Sequence, residues 1–110
     1  MATQQSTVGF IMEQIAPVKD ATARKLFGEY AIYCSGKVVA LICDGQLYVK
    51  PTAAGRAFLG ETHEAPPYPG AKPCFLISAE QIEDADRLST LIAISAAELP
   101  LPKPKARRKP

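Results

Sequence analysis

The stretch Ala23–Lys50, ARKLFGEYAIYCSGKVVALICDGQLYVK, decides the fold of this chain. Three runs rich in Val, Ile, Leu and Tyr alternate with turn residues, which is a strand pattern. They are Phe27–Cys34, Lys37–Cys43 and Gln46–Lys50. Ser35-Gly36 separates the first two and Asp44-Gly45 the last two. Asp-Gly is a strong hairpin signal, because a type I′ turn needs positive φ at both central residues. An antiparallel meander follows. With two-residue turns, Cys34 faces Lys37, Ile32 faces Val39, Tyr30 faces Leu41, Leu41 faces Tyr48 and Cys43 faces Gln46.

Side chains alternate between the two faces of a strand. In that register one face carries Ala31, Tyr33, Val38, Ala40, Ile42, Leu47 and Val49. It has no charge and is the face expected beneath helices. The other carries Tyr30, Ile32, Cys34, Lys37, Val39, Leu41, Cys43, Gln46, Tyr48 and Lys50, apolar at the centre and polar at the rim. Such a face is either a second core layer closed by the chain itself or an interface with a partner or second copy. A chain this short can hardly cover both faces with helices.

Working outward, Gln4–Ile15 reads as a helix with Val8, Ile11, Met12 and Ile15 on one stripe, stopped by Pro17. Thr3 or Ser6 is a candidate cap for it. Asp20 suits the N-cap of a short helical step through Ala21–Lys25. Arg24 and Lys25 are then solvated charges at a helix end, or contacts for an acidic partner. Beyond the meander, Thr52 caps a helix over residues 53–59 that Gly60 ends. The loop Glu61–Pro73 holds four prolines and His63, read as a surface histidine. Cys74–Ser78 is a fourth strand, and Ser78 with Gln81 forms a capping box. Asp84 or Asp86 starts a last helix with Leu88, Leu91, Ile92, Ser95, Ala96 and Leu99 on its apolar side. The fold class is α+β, a two-layer sandwich of an antiparallel sheet with helices on one face.

The 110 residues carry a net charge of +2. That charge is unevenly placed. Lys103, Lys105, Arg107, Arg108 and Lys109 stand in the last eight residues, which hold no acid. The remainder has eight basic and eleven acidic residues. The expected organisation is a slightly acidic domain over 1–99 and a disordered, basic, proline-rich tail over 100–110. Those five cations would give salt-dependent, sequence-independent affinity for nucleic acid, or simply solubilise the chain. They lack the aromatic residues that stack on bases.

Cys34, Cys43 and Cys74 form no CxxC pair and are odd in number, which fits small buried thiols in a reducing cytoplasm. A reactive thiol at Cys43 or Cys74 is the alternative. No apolar run has the length of a membrane span and no signal peptide opens the chain, so a cytoplasmic location is expected. Phosphate-loop, paired-cysteine zinc, calcium-loop and nucleophile-elbow motifs are all missing from the sequence. The carboxylates Glu80, Glu83, Asp84 and Asp86 suit helix starts. The sequence therefore assigns no catalytic, cofactor-binding or metal-binding residue.

The segments ARKLFG (23–28), YAIYCSG (30–36), VALI (39–42), LYVK (47–50) and YPGAKP (68–73) together resemble the N-terminal domain of the TfoX (Sxy) family. The resemblance runs from about Ala21 to Ile94. It implies an α/β domain with an antiparallel sheet. It also implies kinship with regulators of natural competence that act with the cyclic-AMP receptor protein at promoters. A basic segment stands where those regulators have a second domain, and Glu29 and Ala31 stand where the family often has glycine.

The expected function is a non-enzymatic regulatory domain that binds a protein partner, such as a transcription regulator, or forms a homodimer. The expected contact residues are Arg24, Lys25, Tyr30, Ile32, Val39, Leu41, Tyr48 and Lys50. The alternative is a nucleic-acid-associated accessory protein that uses its tail.

Overall fold

The structure, a computed structural model, describes residues 4–26 and 28–100. In chain order the elements are α1 (Gln5–Gln14), β1 (Ala21–Leu26), β2 (Glu29–Cys34), β3 (Lys37–Cys43), β4 (Gln46–Val49), α2 (Ala53–Leu59), β5 (Glu64–Ala65), β6 (Cys74–Ile77), α3 (Ala79–Glu83) and α4 (Ala85–Glu98). The strands form one antiparallel sheet in the order β1-β2-β3-β4-β6-β5. Helices pack on one of its faces, as the sequence pattern predicts.

The helix-side core joins Val8, Ile11 and Ile15 of the α1 region, Leu88, Leu91, Ile92 and Ala96 of α4, and sheet residues including Ile32, Val39, Ile42, Leu47, Val49, Phe75 and Ile77. The predicted stripes of the first and last helices are the buried ones. Among the helices that form, the predicted stops and caps also hold, with one exception. Thr52 Oγ1 accepts from the Gly55 N–H, Ser78 and Gln81 close a capping box, and Asp84 caps α4. The exception is α1, whose N-cap is Gln4 with no side-chain cap hydrogen bond, rather than Ser6; Thr3 lies outside the described residues.

Two expectations fail, and both failures move side chains. The stretch after Asp20 is a strand rather than a helical step. Asp20 takes a left-handed φ of 62°, and Gly28 a φ of 82° at the next reversal. Between them Ala21–Leu26 pairs with Glu29–Cys34 along its full length. Pairing supplies partners for the outer backbone groups of β2, which a short helix would have left to water. Ala21 and Ala23 are partly buried against the helix-side core, while Thr22 and Arg24 are exposed.

The second failure is in register. Both turns have the left-handed geometry expected of them, at Ser35-Gly36 and Asp44-Gly45. Across the second, Leu41 faces Tyr48 and Cys43 faces Gln46, as read. Across the first, Cys34 faces Lys37 and Tyr33 faces Val38, but Ile32 then faces Ala40, and Tyr30 faces Ile42. Val39 is the extra residue of a β-bulge. Its carbonyl is taken by the Lys50 N–H at 2.8 Å. A one-residue slip exchanges the faces of the strand beyond it. Ile32 and Cys34 therefore join the helix-side core, whereas Ala31, Tyr33 and Val38 turn to the opposite face.

Two close contacts tie the helices together. Gly55 of α2 lies against Ser95 of α4 and Phe75 of β6, with no room for a larger residue. Glu98, near the end of α4, accepts from the Ala53 and Ala54 N–H groups at 2.9 and 2.8 Å. It satisfies two of the donors that a helix start leaves open. The Lys37 ammonium in turn reaches the Ala96 carbonyl at 2.8 Å, a cation at the C-terminal end of α4.

Candidate functional site

The sheet face turned away from the helices carries its own apolar cluster. Ala31, Leu41, Cys43, Tyr48 and Cys74 are its buried centre. Leu26, Tyr33, Val38, Ala65 and Leu76 surround them and are partly buried. Among the described residues, no helix residue belongs to this cluster. Its composition follows from the pairing, since Ala31, Leu41, Tyr48 and Leu76 stand side by side across four strands.

The loop from β5 to β6 arches over one end of this face. Its path is set by Pro66, Pro67, Pro69 and Pro73 and by a turn in which the Ala71 N–H donates to the Tyr68 carbonyl at 3.0 Å. Pro67 is buried and Tyr68 is 55% exposed. Between arch and sheet lies a cleft of about 630 Å³, walled by Leu26, Tyr30, Leu41, Cys43, Pro67, Tyr68 and Pro69 and edged by Glu29 and Asp44. Glu29 Oε2 accepts the Asp44 N–H at 3.2 Å, which draws the start of β2 to the β3–β4 turn.

The electrostatics of this face oppose nucleophilic chemistry. Burial, then the Glu29 charge, pushes the Cys43 thiol up from its ordinary value. Burial also raises Cys74, with Lys50 pulling the other way. The Tyr48 phenol is raised by burial and by its acidic neighbours, and donates to Gln46 Oε1 at 3.3 Å. A nucleophilic thiol needs the opposite shift. All three cysteines are free and buried. Among the described residues no group of three or more His, Cys, Asp and Glu side chains is placed to hold a metal. His63 is exposed, and its carbonyl accepts the Leu76 N–H at 2.7 Å.

The predicted contact residues separate. Leu41 and Tyr48 meet on the open face, but at 9% and 8% exposure they offer only their edges. Arg24 and Lys25 are exposed on β1, the edge strand. Arg24 shares the open face, lying opposite Ala31 with its guanidinium 5.7 Å from the Tyr33 ring centre. Lys50 is partly buried at the end of β4. Tyr30 packs on the helix-side core and also borders the cleft. Ile32 and Val39 are corrected outright. Both are 0% exposed beneath the helices and reach no partner. The cause is the bulge, which no turn residue announces. The same slip hid Tyr33 and Val38 from the sequence reading, and no local signal places the arch residues Pro67 and Tyr68 over the sheet. Lys103, Lys105, Arg107, Arg108 and Lys109 lie outside the described residues.

Among the described residues no helix is long and apolar enough to cross a membrane. Over 105 residues the chain is 41% identical to an uncharacterised 12.7 kDa protein from the trpE 5′ region of Spirochaeta aurantia. That similarity covers 96% of this chain and 90% of the relative. Residues 13–99 match the family described as the TfoX N-terminal domain. Among the described residues they contain the whole sheet, the arch and three of the four helices. The chain belongs to the TfoX N-terminal domain family.

Proposed function

We propose that this domain is a non-catalytic regulatory module of the cytoplasm. It binds a protein partner, or a second copy of itself, on the sheet face turned away from the helices. The observation that supports this most is the apolar cluster centred on Leu41 and Tyr48, which lies on a face that no helix covers among the described residues. Its rim of Leu26, Tyr33, Val38 and Leu76 remains partly accessible. Apolar surface of this kind, bordered by charge at Arg24 and Lys50, is the usual composition of an association surface. The raised thiols and phenol on the same face favour binding over covalent chemistry. Membership of the TfoX N-terminal domain family supports a regulatory role, because the resemblance implies proteins that work through a partner at promoters. Three free thiols fit a reducing compartment.

The test is a paired capture experiment. Val38→Lys with Leu76→Lys puts two cations on the partly buried rim, and Phe10→Lys alters the 45% exposed Phe10 on the helix side. All variants are first checked for folding by thermal melting. Partners retained by the wild type, or its self-association by light scattering, should be lost in V38K/L76K and kept in F10K. Equal retention by a folded V38K/L76K would remove this face from the interaction.

A further inference from the structure

The two edges of the sheet are unlike. One is β5, a strand of 2 residues. The other is β1, which runs for 6 residues, each at least partly exposed. Its outer side meets no further strand among the described residues. The Ser35 N–H donates to the Asp20 carbonyl at 3.3 Å, one step beyond the Ala21–Cys34 pair. Bonded and non-bonded pairs alternate along an antiparallel ladder. Thr22 and Arg24 therefore bond to β2, while Ala21, Ala23 and Lys25 turn their N–H and C=O groups outward. Those groups have no backbone partner among the described residues. A row of open backbone groups is a template for another strand.

The side chains of β1 decide which strand fits. Arg24 lies on the open face, with its guanidinium 5.7 Å from the Tyr33 ring centre. Leu26, on the same face, joins the apolar cluster there. Lys25 points to the other side, with Ala21 and Ala23. Among the described residues neither cation forms an ion pair with a carboxylate. The strand itself, ATARKL, holds no acid. A second copy laid along this edge would bring its own Arg24 and Lys25 against the first pair, and like charges across a ladder repel. Edge cations guard against self-pairing in this way. The same cations favour a strand that carries acids.

We propose that β1 is a β-augmentation site, on which an extended segment of a protein partner adds antiparallel as a further strand. The segment carries two consecutive acidic residues, one opposite Arg24 on the open face and one opposite Lys25 on the helix side. The residue opposite Leu26 is apolar and extends the open-face cluster outward. The inference goes beyond the reading of the open face, because the site is the strand edge and the main chain supplies the bonds.

The experiment is a titration of the full chain with the blocked hexapeptide Val-Glu-Glu-Val-Thr-Val, read by amide NMR and hydrogen exchange. Its first residue lies opposite Leu26 and its last opposite Ala21. Binding should slow exchange at the Ala21, Ala23 and Lys25 amides. The counterpart with both glutamates replaced by lysine should bind at least tenfold more weakly at low salt, and the difference should shrink as salt rises. N-methylation of the second and fourth peptide residues, whose N–H groups meet β1, should abolish binding. N-methylation of the third and fifth, whose N–H groups point away, should not. Ala23→Pro removes one outward N–H, at an edge position where proline is tolerated, and should weaken the acidic peptide at least tenfold. Thermal melting checks that this variant folds, and the methylated peptides give the same test without altering the protein.

Equal affinity for the acidic and lysine peptides would overturn the proposal, as would unchanged exchange at the three amides or binding by the peptide methylated at its second and fourth residues. A dimer of the full chain that Ala23→Pro dissociates would also overturn it, by giving the edge to a second copy. Failure here is separable from failure of the open-face reading, because Val38 and Leu76 stand on β3 and β6. If V38K/L76K loses its partner while the wild type ignores every peptide, the face is right and the edge assignment is wrong.

Discussion

Gly55 is the sharpest place to test the packing. An alanine there should raise helix propensity by about 0.8–1.0 kcal/mol, and the backbone of Gly55 is not in the left-handed region. Space opposes it. An added Cβ would stand 2.9 Å from Thr52 Oγ1 and 3.2 Å from both Phe75 Cε2 and Ser95 Oγ. Phe75 and Ser95 are 0% exposed, so neither can swing outward. Thr52 can yield only by giving up the cap on the Gly55 N–H, a loss of about 1 kcal/mol. Overpacking of a filled interior costs about 1–3 kcal/mol. The steric term exceeds the propensity gain, and Gly55→Ala should destabilise by about 1–3 kcal/mol. At about 4–8 °C per kcal/mol for a domain of this size, the melting temperature should fall by roughly 4–24 °C. The internal control is Gly9→Ala in α1, where an added Cβ meets nothing within 4 Å. That change should stabilise by about 0.5–1 kcal/mol. Urea unfolding of the two variants beside the wild type is the assay. A Gly55→Ala protein as stable as the wild type would refute the close approach of α2 and α4.

Other expected outcomes follow from the same contacts. Ser95 Oγ is fully buried and has no hydrogen-bond partner, so Ser95→Ala should stabilise by about 1 kcal/mol in urea unfolding. It should also relieve part of the Gly55→Ala defect, since it removes one of the three clashing atoms. The Ala54 and Ala53 N–H groups hold the Glu98 carboxyl below its ordinary range. A carboxylate depressed by folding stabilises the protein above its unfolded pKa. That contribution is lost as pH falls through the lower folded value. Glu98→Gln should therefore lower the melting temperature at neutral pH and flatten its decline in acid; an unchanged acid limb would contradict the cap. Cys43 and Cys74, raised by burial, should react with a disulfide reagent far more slowly in the native protein at neutral pH than in urea. Equal rates would show that the open face is not packed as described.

Much of this fold is written in local chemistry. The caps of α2, α3 and α4 are set by Thr52, Ser78 with Gln81, and Asp84, each acting within three residues of itself. The β3–β4 register follows from Asp44-Gly45 alone. What could not be read locally depends on distant partners. Ala-Thr-Ala-Arg-Lys-Leu has no strong preference, and it is a strand because β2 offers it an edge. The bulge at Val39 leaves no signature in the turn residues. It places Ile32 rather than Tyr33 beneath the helices, beside Ile42 and Val49. The candidate site inherits this difference. Leu41 and Tyr48 lie beyond the bulge and on the reliable hairpin, so they were placed correctly on the open face. Ile32 and Val39 were not. The arch was legible as a rigid proline turn, but nothing in Tyr68-Pro69-Gly70 says where on the sheet it lands.

Site-specific photo-cross-linking in the native host tests most directly whether the open sheet face is the one that binds. A benzophenone amino acid replaces Val38 on the open face in one strain and Phe10 on the helix side in another. The account predicts a discrete protein adduct, heteromeric or dimeric, from position 38 and none from position 10. An adduct from position 10 with none from position 38 would contradict it and move the interaction to the helical layer.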